Sequence, residues 1–85
     1  MESHILIAIH IHNREQEAVD VQRLLTEYGA NIKTRLGLHE TESQDSPSGV
    51  VLLEMTGNPN RCQELNDKLN ALATVEARKI VFEHS

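Results

Sequence analysis

The chain is 85 residues long, room for one small domain spanning residues 1–85, with 39% hydrophobic and 25% charged residues. Its net charge of −5, the lack of a Lys/Arg cluster and a scarcity of aromatics (Tyr28 and Phe82 alone) argue against a phosphate-binding or base-stacking surface. No nucleic acid is therefore expected to bind this chain by itself.

A single cysteine, Cys62, leaves no internal disulfide, and no apolar run nears about 18 residues. The expectation is a soluble cytoplasmic protein with no membrane partner. A chain this short buries only about 60–65% of the surface its unfolded form exposes, so self-association is a natural route to stability.

His4–His12 alternates as a strand does, with Ile5, Ile7, Ile9 and Ile11 on one face and His4, Leu6, Ala8, His10 and His12 on the other. Asn13 suits a helix N-cap, with Gln16 three residues on as its capping-box partner. Ala18, Val21, Leu24, Leu25 and Tyr28 then share a helical face, and Gly29 suits the left-handed residue past a helix end. Ile32–Leu38 alternates again, with Ile32, Thr34, Leu36 and Leu38 on one side.

Glu40–Gly49 is polar and carries Pro47 and Gly49, the pattern of a loop. Val50–Thr56 reads as a third strand, with Val51, Leu53 and Met55 on one face. In the segment after Gly57, Asn58 can cap and Pro59 fits a first helical turn; Cys62, Leu65, Leu69 and Leu72 line the helix that follows. Glu76–Glu83 closes the chain as a strand, with Ile80 and Phe82 on one face.

The order is βαββαβ, and the halves repeat. A shift of 44 residues lays Ile7, Ile9 and Ile11 on Val51, Leu53 and Met55. The same shift lays Ala18, Val21, Leu25 and Tyr28 on Cys62, Leu65, Leu69 and Leu72, and Leu36 and Leu38 on Ile80 and Phe82. Two right-handed βαβ units place both helices on one side of a four-stranded antiparallel sheet, the α+β ferredoxin-like arrangement. The other side is left bare. Its central strands offer Leu6, Ala8, Val50 and Leu52, an apolar patch that predicts a homo-oligomer, dimer or tetramer. Pairing through the edge strand Ile32–Leu38 is a second route to the same outcome.

The stretches "HILIAIHIHNREQEAVDVQRLL", "NIKTRLGLHE" and "SGVVLLEMTGN", with the polar loop between them, resemble the small stand-alone ACT-like proteins of the iron-only hydrogenase system regulator family. These proteins are relatives in fold of the nickel-responsive regulator's C-terminal domain. The resemblance covers nearly the whole chain and implies an oligomerising or small-effector-sensing regulatory module with no chemistry of its own. In ACT domains a small effector commonly binds near the turn between first strand and first helix, which here brings forward Asn13 and Arg14. The plainer reading is that Asn13 caps and Arg14 is a solvated charge. The glycine often found in amino-acid-binding ACT turns is missing from "HNR".

His10 and His12, two apart near the end of a strand, are close enough to share a metal, and His39 at the end of the second strand is a third candidate ligand. This is the alternative reading, a metal-binding sensor holding a transition metal. The plain reading makes these histidines polar rungs of a strand, and places Cys62 in the core. The nickel-responsive domains bind their metal through a His-x-His near the end of the second strand and a cysteine beyond the turn. Here Gly37 and His39 hold the His-x-His places and no cysteine follows in the loop, so that family's site is expected to be missing.

No catalytic residues are expected. A remote alternative is a hydrolase of the acylphosphatase kind. Those enzymes share the topology, but they need a glycine-bearing loop with a deep arginine, which "IHNREQ" does not supply.

Overall fold

The computed structural model describes residues 2–38 and 49–84, which follow the expected order. They form β1 (Glu2–Ile11), α1 (Arg14–Glu27), a 3-10 turn (Gly29–Asn31), β2 (Ile32–Leu38), β3 (Gly49–Met55), α2 (Pro59–Asn70) and β4 (Val75–His84). The strands make one antiparallel sheet in the order β2-β3-β1-β4. His39 and all of the expected loop before Gly49 lie outside the described residues.

The isoleucine ladder of β1 explains why this layer is stable. Ile5, Ile7, Ile9 and Ile11 are buried beside Leu53 and Met55 of β3, under Val21, Leu24 and Leu25 of α1, Tyr28 just past its end, and Cys62, Leu65 and Leu69 of α2. Each large side chain taken wholly out of water contributes about 1.5–3 kcal/mol before entropy is subtracted. Val75 and Ala77 of β4 complete this core. Lys68 of α2 reaches Glu27 of α1 at 3.0 Å, and the Arg61 guanidinium lies 4.2 Å from the centre of the Tyr28 ring.

α2 starts as its sequence predicts. The Asn58 side chain accepts a hydrogen bond from the Asn60 backbone N–H at 2.8 Å, and Pro59 sits in the first turn. α1 opens at Arg14, immediately after Asn13. Its buried stripe differs from the expected one: Ala18 is exposed, so among the described side chains burial begins at Val21. A lone methyl group one turn before the first large side chain has little to bury.

The left-handed glycine also falls elsewhere. Gly29 starts a right-handed 3-10 turn, and the positive φ belongs to Gly57, at +85°, in the turn from β3 to α2. A Cβ at Gly57 would stand 2.7 Å from Asn31 Nδ2, whose amide donates to the Thr56 carbonyl at 3.1 Å. Gly57→Ala is therefore expected to lower stability by about 1–2 kcal/mol, the cost of left-handed backbone for an L-residue. Gly29→Ala, with nothing within 4 Å of the added carbon, should leave the thermal midpoint nearly unchanged. Thermal unfolding of the two variants side by side checks this.

β2 carries the main departure from strict alternation. Ile32 pairs with Met55, but Thr34 pairs with Glu54, a bulge that absorbs Lys33. A bulge turns every later side chain to the opposite face. Ile32 packs against the core, whereas Leu36 pairs with Leu52 on the side away from the helices and is 52% exposed. Ile80 and Phe82 of β4 share that side, opposite Leu6 and His4 of β1, and are exposed as well. The duplicated positions of the second and fourth strands thus match each other as expected, but they are open-face residues and not core.

Both sheet edges are blunted against further pairing. On β4 the Asn70 side chain accepts from the Ala77 N–H at 2.8 Å and donates to its carbonyl at 2.9 Å, occupying the strand's free edge. β2 has its bulge and the charged Lys33 and Arg35. Among the described residues, no helix is long and apolar enough to cross a membrane.

Candidate ligand and assembly surface

The register of the four strands fixes a grid on the open face. One row runs Val50, His10, Glu76 across β3, β1 and β4. The next runs Leu36, Leu52, Ala8, Arg78 across all four strands, and the third runs Thr34, Glu54, Leu6, Ile80. His4 and Phe82 pair beyond it. The apolar side chains therefore form a diagonal stripe, from Leu36 and Val50 through Leu52, Ala8 and Leu6 to Ile80 and Phe82. Polar groups fill the two remaining corners.

One polar corner holds Thr34 and Glu54. The Thr34 hydroxyl donates to Glu54 at 2.9 Å, and Lys33 stands 3.9 Å from the same carboxylate. The opposite corner holds His10, His12, Glu76 and Arg78. His10 and Glu76 face each other across β1 and β4, while His12 lies just past the end of β1. A backbone hydrogen bond from His12 N–H to the Thr74 carbonyl, 2.7 Å, pins that position.

The ring nitrogens His10 Nδ1 and His12 Nε2 are 3.3 Å apart, and His12 Nε2 is 2.6 Å from Glu76 Oε1. The two imidazoles meet edge to face, with centres 4.3 Å apart. Arg78 Nη2 stands 3.4 Å from the other oxygen of Glu76. The hydrogen bond from His12, followed by that from Arg78, holds the Glu76 carboxyl below the usual carboxylate range. A shallow pocket of about 120 Å³ adjoins this corner, lined by Ala8, Ile9, His10, Val50, Glu76 and Arg78.

The other sequence candidates are scattered by comparison. Asn13 is half-buried in the β1–α1 turn, and Arg14 is the first residue of α1. Cys62 is fully buried on the helix side of the sheet, and burial raises its thiol pKa. It is a neutral core residue with the sheet between it and the histidines. Glu76 is the functional candidate that sequence reasoning missed. The His-x-His spacing locates two members of the corner, but the third is 64 residues from His12 and enters only through the β1–β4 register.

No protein-family model matches the sequence. No curated protein is a significant match to it either. Solved structures do share the fold. The chain is similar to the uncharacterized protein TM1266 from Thermotoga maritima, at 19% identity and a TM-score of 0.83, over 96% of this chain and 100% of that one. It is also similar to the ACT domain from GTP pyrophosphokinase of Chlorobium tepidum, at 17% identity and a TM-score of 0.67 in both its solution and crystal structures. The solution structure covers 94% of this chain and 89% of that one. A protein of Thermus thermophilus assigned as PII-like signalling aligns at 13% identity and a TM-score of 0.59, over 94% of this chain and 87% of that one. At these identities the likeness shows an ACT-like, ferredoxin-like fold.

Proposed function

We propose that this chain is a regulatory or small-effector-sensing module without catalysis of its own, of the kind expected for the iron-only hydrogenase system regulators. It works as a homo-oligomer built on the open face of its sheet. The observation that carries this reading is the diagonal apolar stripe. Five of its side chains, Leu6, Leu36, Leu52, Ile80 and Phe82, are large, apolar and well exposed. A continuous patch of this sort on a small protein marks an interface.

The stripe suits a second copy of the same chain. An isologous contact needs one patch to be complementary to itself. With a two-fold axis along the stripe, apolar residues meet apolar residues, and the corner holding Arg78 meets the second copy's Glu54 corner. The blunted edges of β2 and β4 favour face-to-face assembly over continuation of the sheet. Each copy keeps its β1–α1 turn, where Asn13 and Arg14 are the proposed effector contacts. ACT and PII-like folds among the similar structures support a sensing role of this type.

Sedimentation equilibrium of the full chain tests the assembly. The expected result at micromolar concentration is a mass of two or four chains of 9.6 kDa. A mass of one chain throughout the range would contradict it. Arg78→Glu should weaken the association and Glu54→Arg in the same chain should restore it, because the double variant re-creates the opposite-charge pair.

A further inference from the structure

We propose that His10, His12 and Glu76 form a binding site for a divalent transition-metal ion, at the end of β1 and the facing end of β4. The site stands on its own geometry, whether or not the open face pairs with a second copy.

Metal–nitrogen and metal–carboxylate bonds of about 2.0–2.2 Å set the ligand atoms of a tetrahedral ion about 3.3–3.5 Å apart. The two ring nitrogens are already at 3.3 Å. One ligand atom from each of the three residues lies within 4.8 Å of the others. The 2.6 Å contact between His12 and Glu76 has to open by less than 1 Å, a movement that two half-exposed side chains can make. The ion would replace the hydrogen bond that now joins this pair.

The backbone holds all three positions without help from the side chains. His10 is in a central strand, Glu76 is its direct partner in β4, and His12 is tied to the Thr74 carbonyl. Arg78 engages Oε2 of Glu76 and leaves Oε1 for the ion, the supporting role that residues behind metal ligands commonly play. Two imidazoles and one carboxylate match zinc, nickel or cobalt better than calcium or magnesium, which prefer all-oxygen sites. Three protein ligands leave a fourth position for water or a small anion. The shallow pocket beside His10 and Glu76, with Arg78 on its wall, has room for one.

The test is calorimetric titration of the tag-free, chelator-stripped full chain with zinc and with nickel, at pH 7.5. The expected result is one ion per chain, with affinity reduced at least tenfold in His12→Ala and in Glu76→Gln and unchanged in His4→Ala. Ring-proton resonances of the unmutated protein give an independent readout: those of His10 and His12 should shift on metal addition, and those of His4 should stay. Absence of saturable binding up to about 100 µM of either metal, or equal affinity in all the variants, would overturn the site. Sedimentation of the same samples with and without metal reads the assembly separately, so a failed metal site and a failed oligomer are distinguishable outcomes.

Discussion

Leu52→Asp should leave the chain folded and separate its assembly into single copies, raising the dissociation constant at least a hundredfold. Leu52 sits at the middle of the stripe, between Leu36 and Ala8, and leaves 40% of its surface to water. In a two-fold contact the change occurs twice. Withdrawing the exposed part of two leucines forfeits about 1–2 kcal/mol, and two carboxylates pressed into apolar contact cost several kcal/mol more. A loss near 3 kcal/mol is already a hundredfold in Kd. The aspartate points away from the core, so circular dichroism and the cooperativity of unfolding should survive. Sedimentation velocity on the variant and its parent decides the matter. An unchanged assembly would remove the open face from the account.

The largest effect on stability is expected at Ile7→Ala. Ile7 is fully buried in the central strand, paired with Leu53 on one side and Lys79 on the other. Cutting a buried isoleucine back to alanine costs about 2–5 kcal/mol, through lost transfer energy and the cavity left behind. A chain of this length has only about 4–13 kcal/mol of stability in all. With about 4–8 °C of midpoint lost per kcal/mol, the thermal transition should fall by at least about 10 °C. Val19→Ala, on the exposed side of α1, removes a side chain that is 79% exposed and should shift the midpoint little. A drop of less than about 3 °C for Ile7→Ala would contradict the placement of the core.

Most of this fold is legible in local patterns. The alternation of Ile5, Ile7, Ile9 and Ile11, the Asn58-Pro59 helix start and the leucine stripe of α2 each point to the element they form. The bulge in β2 is not legible, because Ile32, Thr34, Leu36 and Leu38 alternate in the sequence as a single strand face. Pairing with β3 absorbs Lys33 and so puts Ile32 on the core side and Leu36 on the open side. For the same reason, the internal repeat identifies equivalent positions without saying which face they occupy. Leu36 and Ile80 are equivalent by duplication and exposed by topology.

The candidate metal corner divides in the same way. His10 and His12 are visible as a spaced pair. Glu76 looks like any charged residue of a terminal strand until β4 is laid antiparallel to β1, and His12 joins the corner only because its backbone is tied to Thr74. Long-range register brings such residues together, and one sequence read locally does not carry that information.

Self-association through the open face is the claim on which the regulatory reading depends. Methyl NMR of Leu6, Leu36, Leu52 and Ile80 in the presence of a soluble nitroxide probes it directly. At protein concentrations where the assembly forms, these methyls should be shielded from paramagnetic broadening, while exposed Val19 on α1 is broadened as usual; dilution should expose all four. Equal broadening of the four methyls and Val19 at every concentration would mean that the face stays open to water.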